Sequence, residues 1–594
     1  MLKIFKLLLL ITLSTFLFAE EPKEEEKEEI VLPTHTISFS GQEYFESSDL
    51  EKALGVDTVS FFLFWKDDTP KIKDKLLPTL KESVIAFYHS EGFYDVEVSI
   101  KENKTSVDVE IKENKPVRIT SIEVKSDYEL KNLILFEKGE IFRAKPFSAT
   151  KTRIVAEMFK EGYCSYDLVS KAYVDLEKHS VDLKYTLKKG GICTFGKLTI
   201  TGLETVDEDV VISRVRALEG ERFSTELVQD TSNNLYALGA FDSVLINVDK
   251  KFYNVIPVDI AFTEISKPYH LEAGAGFDTY VGARVHGEIT KFNFLGDAQK
   301  LKLKASWSSR EQLLVLSYLK PALFSLFDYS IDLGARVGYS NLEYDGFQEA
   351  KAFTRGYLQH EDGRVSLKTG IAFENIGITK VDNLPDIDKA EQNLNEGDFV
   401  LAYPYVNFVY DARDSKLNPK NGFYLSAYAE FGGSYEEDAS AYLKTLFEAR
   451  IIHTFSKLTL SAVGKVGVVD DDSENGLPES KYFFAGGIFS NRAYGFREIG
   501  VIISPTHDTI NGASSWLNLS VEANYPVWGD LYGAVFTDNT MLTDEAYDYS
   551  GEIISTAGLG VRYMTPLGPF KFDVGLNVQD PSVYAISFQI GQSF

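Results

Sequence analysis

Hydrophobic and polar residues follow two different periods along this chain. Between about residues 32 and 264, stripes at helical spacing lie between short alternating segments, whereas after Pro268 only alternating segments remain, separated by Gly, Asp, Asn and Ser. Alternation places successive side chains on opposite faces of a strand. The final segment, residues 584–594, has an apolar face opposite a face of small and polar residues. This pattern is typical of a strand between lipid and a wet lumen, although the edge of a soluble sandwich shows it too.

A unit with the same order of elements occurs three times in the N-terminal part. Each unit opens on a short strand, continues through a short helical stretch and a longer amphipathic helix, and closes with a strand pair. The longer helices stop at Gly92, Gly162 and Gly239, where glycine favours the left-handed conformation that caps a helix. In the second and third units the helix is predicted to begin around Ser148 and Ser224, because serine is a good N-cap. The order β-α-α-β-β therefore repeats.

The alternating C-terminal region leaves room for about 16 strands, since a membrane strand with its connection takes roughly 20 residues. After the first residues, no segment has the uninterrupted apolar length of a spanning helix, so a chain that enters a membrane integrally must close into a barrel. We predict three α+β repeats followed by an antiparallel transmembrane β-barrel. The predicted boundaries are a signal peptide at 1–19, an acidic linker at 20–31, repeats at 32–115, 116–190 and 191–264, and the barrel at 265–594.

The signal peptide is predicted from Lys3 and Lys6, which precede an apolar stretch that ends at Ala19. The alternative is an N-terminal membrane anchor, which the shortness of the apolar stretch disfavours. The following linker is rich in Glu, and we expect it to be disordered.

The composition narrows the range of functions that the chain can have. There are 88 acidic against 61 basic residues, a formal charge of −27, and this balance argues against a nucleic-acid binder, which would present a basic face. Aromatic residues make up 13% of the chain, which fits the aromatic girdles of a membrane barrel. Cys164 and Cys193 form a disulfide or remain two buried thiols, and neither has metal-ligand spacing to a His, so no zinc site is expected.

The three N-terminal units resemble polypeptide-transport-associated (POTRA) domains. This resemblance implies binding by β-augmentation, in which an exposed sheet edge pairs with an extended strand of a client or partner. Main-chain hydrogen bonds do not depend on the side chains of the bound strand, so a sheet edge of this kind can bind many different clients. The sequence leaves open which edge is used.

Motifs in the barrel region resemble those of the outer-membrane protein assembly superfamily that contains BamA, TamA and the two-partner secretion transporters. Three repeats, and the Phe-Phe-Ala-Gly-Gly run that precedes the sixth-loop motif, are most similar to the TamA branch. The motifs occur in the family's order: Gly274-Ala-Gly276 with Asn293 to Gly296, Tyr410 to Asp414, Phe483 to Gly487 with Asn491 to Tyr494, Gly558 to Arg562, and Thr565 to Pro569.

The resemblance assigns a role to Arg492, at the tip of a loop that folds back into the lumen. Ala493 stands where the family usually has Gly. Parity in the strand around Val521 turns Glu522 inward, and Asp538 is a second candidate partner; both match the acidic partners of the loop arginine in the resembling family. We interpret Arg492, Glu522 and Asp538 as a latch that locks the loop. The alternative is a surface arginine and two ordinary lumen charges.

The lateral seam is the second predicted site. Residues 271–280 and 584–594 must meet to close the barrel, and Phe588, Gly591 and Phe594 lie on the last strand. Gly591 weakens pairing there, so the seam could open sideways and template a client strand. The predicted function is an outer-membrane insertase whose periplasmic domains bind unfolded outer-membrane protein clients, autotransporters among them.

The resemblance also implies a TamB-like partner anchored in the inner membrane, and contact with outer-membrane lipid. A two-partner secretion pore or a passive porin is the alternative, and whether lipid transport is the main task stays open. There is no HExxH, GxSxG or P-loop motif, so we expect neither an enzyme nor a cofactor.

Overall fold

The computed structural model describes residues 33–56, 69–248, 254–278, 282–327, 329–344, 347–380, 396–434, 441–472, 477–504, 509–565 and 568–590. The predicted signal peptide and linker, together with Gly591 and Phe594, lie outside these residues. The chain divides into two compact units, Met1–Cys193 and Thr194–Phe594. Within the described ranges, no helix is both long and apolar enough to cross a membrane.

The first unit contains the first two repeats. Its elements are β1 (Thr34–Ser40), α1 (Ser47–Leu54), β2 (Lys71–Lys73), a 3-10 helix (Asp74–Thr79), α2 (Leu80–Ser90), β3 (Glu97–Glu102), β4 (Ser106–Lys112), β5 (Arg118–Ser126), α3 (Ala144–Lys160), β6 (Asp167–Asp175) and β7 (Ser180–Lys188). The sheet orders are β2-β1-β4-β3 and β5-β7-β6. In the first repeat the inward residues Val107 and Val109 of the last strand, β4, pack against Val84 and Tyr88 of the long helix α2.

The second repeat departs from the predicted element order in two places. Its first helix is reduced to a turn, in which the Leu133 N–H donates to the carbonyl of Leu130 at 2.9 Å. Its long helix begins at Ala144, before the predicted N-cap Ser148. Pro146 is tolerated there because the first helical turn leaves N–H groups unpaired in any case. The long helix of the third repeat starts as predicted, with the Ser224 side chain accepting a hydrogen bond from the Glu226 N–H.

All three glycines predicted to end the long helices have the expected backbone. Gly92, Gly162 and Gly239 have φ of 95°, 73° and 66°. Cys164 and Cys193 are not joined by a disulfide in this structure.

In the first and third repeats, a glutamate carboxylate holds the turn that follows the first strand. Glu113 accepts from the N–H groups of Glu43 and Tyr44 at 2.8 and 2.9 Å. Glu264 accepts from those of Glu204, Thr205 and Val206 at 2.9, 2.8 and 3.0 Å. Burial raises the pKa of Glu264, but the Thr205 hydroxyl and these N–H groups outweigh burial, so its pKa lies below the ordinary value.

The second unit contains the third repeat and a sixteen-stranded antiparallel sheet. The repeat comprises β8 (Thr194–Thr201), α4 (Glu208–Ile212), α5 (Thr225–Ala237), β9 (Phe241–Val248) and β10 (Val255–Glu264), with sheet order β8-β10-β9. The fold class predicted from the sequence, α+β repeats followed by an antiparallel barrel of sixteen strands, is confirmed.

The barrel strands pair with their sequence neighbours, except that β21 pairs with β24 across a long loop. They are β11 (Tyr269–Asp278), β12 (Gly282–Lys291), β13 (Lys300–Trp307), β14 (Glu311–Leu326), β15 (Tyr329–Glu343), β16 (Phe347–Asp362), β17 (Val365–Lys380), β18 (Gly397–Asp411), β19 (Gly422–Ser434), β20 (Ala441–Phe455), β21 (Leu458–Asp471), β24 (Ser515–Trp528), β25 (Leu531–Thr543), β26 (Ile554–Thr565), β27 (Gly568–Asn577) and β28 (Tyr584–Ile590). The loop between β21 and β24, residues 472–514, carries a small hairpin of β22 (Val501–Ser504) and β23 (Thr509–Asn511); we call it the lumen loop.

The third repeat is fixed to one end of the barrel by buried and half-buried polar contacts. Arg214 Nη2 lies 2.5 Å from Asp332 Oδ1, and both side chains are buried. Arg216 lies 3.1 Å from Asp362, and Lys300 Nζ donates to the carbonyl of Ala237 at 2.6 Å. These contacts join the segment after α4, and the end of α5, to the ends of β13, β15 and β16 nearest the repeat.

We predict that Gly41→Ala destabilises the first repeat more than Gly55→Ala does. Both glycines have positive φ, but a Cβ at Gly41 would lie 2.2 Å from the carbonyl oxygen of Ile111, whereas nothing lies within 4 Å at Gly55. The Gly55 change isolates the backbone cost of about 1 kcal/mol, and we expect at least ~2 kcal/mol for Gly41→Ala. Hydrogen exchange of the repeat in the full-length protein measures both. Equal losses would contradict the close approach.

Candidate functional site

The lumen loop folds back between the barrel walls and is held in a defined shape. The N–H and carbonyl groups of Phe483 and Ala513 bond reciprocally at 2.8 Å, and those of Ala485 and Ile499 at 2.8 and 2.9 Å. Gly486 and Gly487 take positive φ, 107° and 84°, where the chain turns toward the tip. The tip is therefore carried on a short ladder rather than on a loose segment.

Ala493, at the position usually held by Gly in the resembling family, needs no left-handed backbone. Its backbone φ is not positive, and the residue is fully buried. The strain that an alanine side chain would cause there does not arise.

The structure brings the three predicted latch residues together. Arg492 Nε and Nη2 donate to Asp538 Oδ2 and Oδ1, both at 2.9 Å, which is the bidentate geometry of a guanidinium and a carboxylate. The Arg492 backbone N–H also donates to Asp538 Oδ2 at 3.0 Å, and Nη1 donates to Glu522 Oε2 at 2.6 Å. All three side chains are 4% exposed or less. The pairing therefore lies out of reach of the solvent screening that weakens surface ion pairs.

Strand parity explains how these side chains reach the lumen. On β24, Ser520 and Glu522 are buried while Leu519 and Val521 are exposed on the outer face. Asp538 faces inward on the neighbouring β25 in the same way.

Two further charged residues, Arg562 and Asp573, belong to the cluster, and sequence reasoning placed neither of them there. Arg562 on β26 donates to Glu522 Oε2 at 3.0 Å and to Asp573 Oδ1 on β27 at 2.6 Å. Arg492 Nη1 lies 3.7 Å from Asp573 Oδ2. A signal was available, because Arg562 lies between the outward residues Val561 and Tyr563 in a strand whose parity turns it inward. Its pairing with residues of β24 and β27 depends on the tertiary structure, which parity does not predict.

Polar and aromatic groups surround the tip. The Arg492 guanidinium carbon lies 3.4 Å from the centre of the Phe536 ring, a cation–π contact. The Ser490 carbonyl accepts from Asn518 at 3.1 Å, and the Tyr494 hydroxyl accepts from Asn577 at 2.6 Å. Asn491 donates to the Ile554 carbonyl of β26 at 3.2 Å, so the tip is attached to β24, β25, β26 and β27 at once.

A close approach at Gly575 seats the tip on β27. A Cβ at this position would lie 2.4 Å from the carbonyl oxygen of Arg492. Glycine here leaves the space into which the loop backbone fits.

The seam lies between β11 and β28, the two ends of the sixteen-stranded sheet. These strands approach each other, but no ladder joins them within the part of the chain that the structure describes. Phe588 pairs with Phe572 of β27 and is half exposed on the outer surface. Gly591 and Phe594, the other predicted seam residues, fall outside the described ranges.

The repeats present sheet edges of different character. In the first repeat the short β2 covers β1 and β3 is the other edge strand, whereas in the second β5 and β6 are both edge strands, with no further strand beside them among the described residues. Val169 and Tyr173 are exposed on β6, 43% and 55%. Exposed apolar side chains on an open edge are typical of a strand that accepts a partner.

Comparison with known proteins places these features in a family. A family model described as the Omp85 superfamily domain matches residues 293–594, more than half of the chain. A second, POTRA, described as a surface antigen variable number repeat, matches residues 115–190.

Named relatives agree with the family matches. The chain is 21% identical to the outer membrane protein assembly factor BamA of Nitratidesulfovibrio vulgaris, over 92% of this chain and 70% of that protein. It is 22% identical to BamA of Neisseria meningitidis, over 94% of this chain and 78% of that protein. Among solved structures, BamA from Haemophilus ducreyi lacking POTRA domains 1–3 aligns with a TM-score of 0.52 at 18% identity, covering 80% of this chain and all of that one; this likeness concerns the fold.

We predict that Gly575→Ala dislodges the loop tip, because the new methyl group would collide with the Arg492 carbonyl. The expected loss of barrel stability is about 1–3 kcal/mol. The temperature at which the folded, heat-modifiable band disappears on gels measures it, and trypsin cleavage at the now accessible Arg492 reports the tip directly. Gly464→Ala on β21 is the matched control, since nothing lies within 4 Å of its Cβ position. Identical behaviour of the two variants would contradict the seating of the tip on β27.

Proposed function

The chain belongs to the Omp85 superfamily, and from this premise we propose that it is an insertase that assembles β-barrel proteins in the outer membrane by templating client strands at its lateral seam. The family resemblance drawn from the sequence motifs is confirmed, and with it the location: the barrel lies in the bacterial outer membrane and the repeats in the periplasm. The narrower resemblance to TamA stays a prediction.

The observation that carries the proposal is that no ladder joins β11 and β28 among the residues that the structure describes. In hydrocarbon an unpaired backbone N–H or carbonyl costs several kcal/mol, so membrane sheets normally close without an edge. A seam with few hydrogen bonds already bears part of this cost. A client strand that pairs with a seam edge satisfies the same groups, and so the client gains backbone partners before it leaves the insertase.

Strand length supports the same site. β13, the third strand counted from the seam, has 8 residues, whereas β14 and β17 have 16 each. At about 3.4 Å per residue, the wall at β13 is roughly half as tall along its strands. A short hydrophobic wall thins the adjacent bilayer, which lowers the barrier to insertion.

The latch has a definite task in this mechanism. Arg492 ties the loop to β24 and β25, and Arg562 extends the pairing to β26 and β27. The wall beside β28 then acts as one rigid body, so that opening is confined to the seam. No covalent chemistry is needed, and no residue is assigned a catalytic role.

Clients are captured by the repeats. The open edge at β6, with Val169 and Tyr173 exposed, is our candidate for β-augmentation by unfolded outer-membrane proteins, autotransporters among them. A TamB-like partner from the inner membrane would dock on the first repeat. A passive porin is disfavoured, because the lumen loop occupies the space that solutes would cross.

Folding of a urea-denatured β-barrel client into liposomes tests the proposal. We expect the protein to accelerate client folding, and Arg492→Ala to reduce the acceleration roughly tenfold, because removal of one partner leaves two carboxylates buried without it. Arg364→Ala, an exposed arginine on a hairpin turn, is the matched control.

Each outcome has a distinct meaning. Acceleration that Arg492→Ala leaves unchanged keeps the insertase and refutes the latch. Ion conductance without any acceleration refutes the insertase in favour of a secretion pore or porin.

A further inference from the structure

A second buried cation lies at the neck of the lumen loop. Lys481, in a 3-10 helix at Glu479–Lys481, places its Nζ 2.9 Å from Glu374 Oε2 and 3.0 Å from Glu430 Oε1. The Lys481 side chain is 8% exposed and lies 4.1 Å from the centre of the Tyr403 ring. Sequence reasoning did not identify this residue, and it is separate from the latch.

The receiving site for Lys481 is held in place by the barrel strands themselves. Glu374 Oε1 accepts from the Tyr403 hydroxyl at 2.6 Å and from Arg355 Nη2 at 2.7 Å. Glu430 Oε1 accepts from the Tyr442 hydroxyl at 3.0 Å, and the Tyr428 hydroxyl donates to its other oxygen. Both carboxylates are buried, and each has oriented partners on neighbouring strands, so the site is preorganised for one cation from the loop.

The neck is rigid enough to transmit this attachment. The Lys481 N–H donates to the Pro478 carbonyl at 2.8 Å, and Glu479 accepts from the N–H of Gly512 on the returning limb of the loop. The bonds between Phe483 and Ala513 follow directly. Holding Lys481 therefore holds both limbs of the loop.

The two attachments of the loop lie on different walls. Glu374 and Glu430 belong to β17 and β19, the seventh and ninth strands of the sixteen, opposite the seam. The latch residues belong to β24 and β25, the twelfth and thirteenth strands, nearer the seam. Because β11 leaves the periplasmic repeats, odd-numbered barrel strands run outward, and the loop after β21 enters the lumen from the extracellular side.

We propose that Lys481 is a second anchor, which ties the neck of the lumen loop to β17 and β19 and keeps the extracellular half of the lumen closed to solutes. The loop then spans the barrel as a tie between the wall opposite the seam and the wall beside it. The inference goes beyond the proposed insertion activity, because it concerns permeation and is measured without a client.

Single-channel conductance in planar bilayers tests the anchor. Lys481→Met keeps the length and apolar stem of the side chain and removes its charge. We expect the fraction of time in an open, conducting state to rise roughly tenfold or more, since loss of a buried ion pair weakens attachment by at least that factor. Lys457→Met, an exposed lysine on a hairpin turn, is the matched control and should conduct like the wild type.

A triple variant separates attachment from simple charge balance. Lys481→Met combined with Glu374→Gln and Glu430→Gln removes the anchor without leaving carboxylates short of a partner. High conductance in both the single and the triple variant supports the anchor, with heat-modifiable migration on gels confirming a folded barrel.

Two results would overturn the anchor. One is conductance that returns to the wild-type level in the triple variant, which would mean that unbalanced carboxylates, rather than a detached neck, opened the lumen. The other is wild-type conductance in both variants. If the single variant does not fold, the triple variant alone decides. Client folding measured on the same preparations tests the insertase separately, so failure of one proposal is distinguishable from failure of the other.

Discussion

Backbone pairing in a medium without water is the constraint on which the rest of this structure depends. Fifteen neighbouring strand pairs of the barrel meet it through hydrogen-bonded ladders, and the described parts of β11 and β28 do not. In the mechanism that we propose, the barrel opens at this junction, because the cost of unpaired groups falls on it.

The charges in the lumen follow from the same constraint. A barrel whose seam is weak needs its remaining wall to behave as a unit, and its ladders alone leave each strand free to slide or splay relative to the loop. Arg492 and Arg562, set among Glu522, Asp538 and Asp573, connect four consecutive strands through one group of buried ion pairs. Buried pairs of this kind contribute little to overall stability compared with apolar packing, but they penalise every arrangement that separates the partners. Their role is therefore to specify one position of the loop.

Much of the fold was predictable because it rests on local periodicity. Period two places Glu522 and Asp538 in the lumen, and the cap glycines Gly92, Gly162 and Gly239 end their helices as expected. The start of α3 was not predictable from Ser148 alone, because Pro146 suits the first helical turn equally well. Lys481 was missed because Glu374 and Glu430 lie on strands distant in sequence, and closure of the sheet decides which strands the loop meets. Arg562 was missed because parity turns it inward without identifying its partners.

The two cations of the loop, Arg492 and Lys481, serve two separate requirements of a barrel that opens at its side. If Arg492 alone held the loop, any movement of the wall beside the seam would carry the loop with it and unblock the lumen. In the mechanism that we propose, attachment of the neck to β17 and β19, which lie opposite the moving wall, leaves the loop in place while β28 separates from β11. Lateral opening toward lipid and closure toward solutes then depend on different residues, so a barrel built in this way can open at its side without becoming a pore.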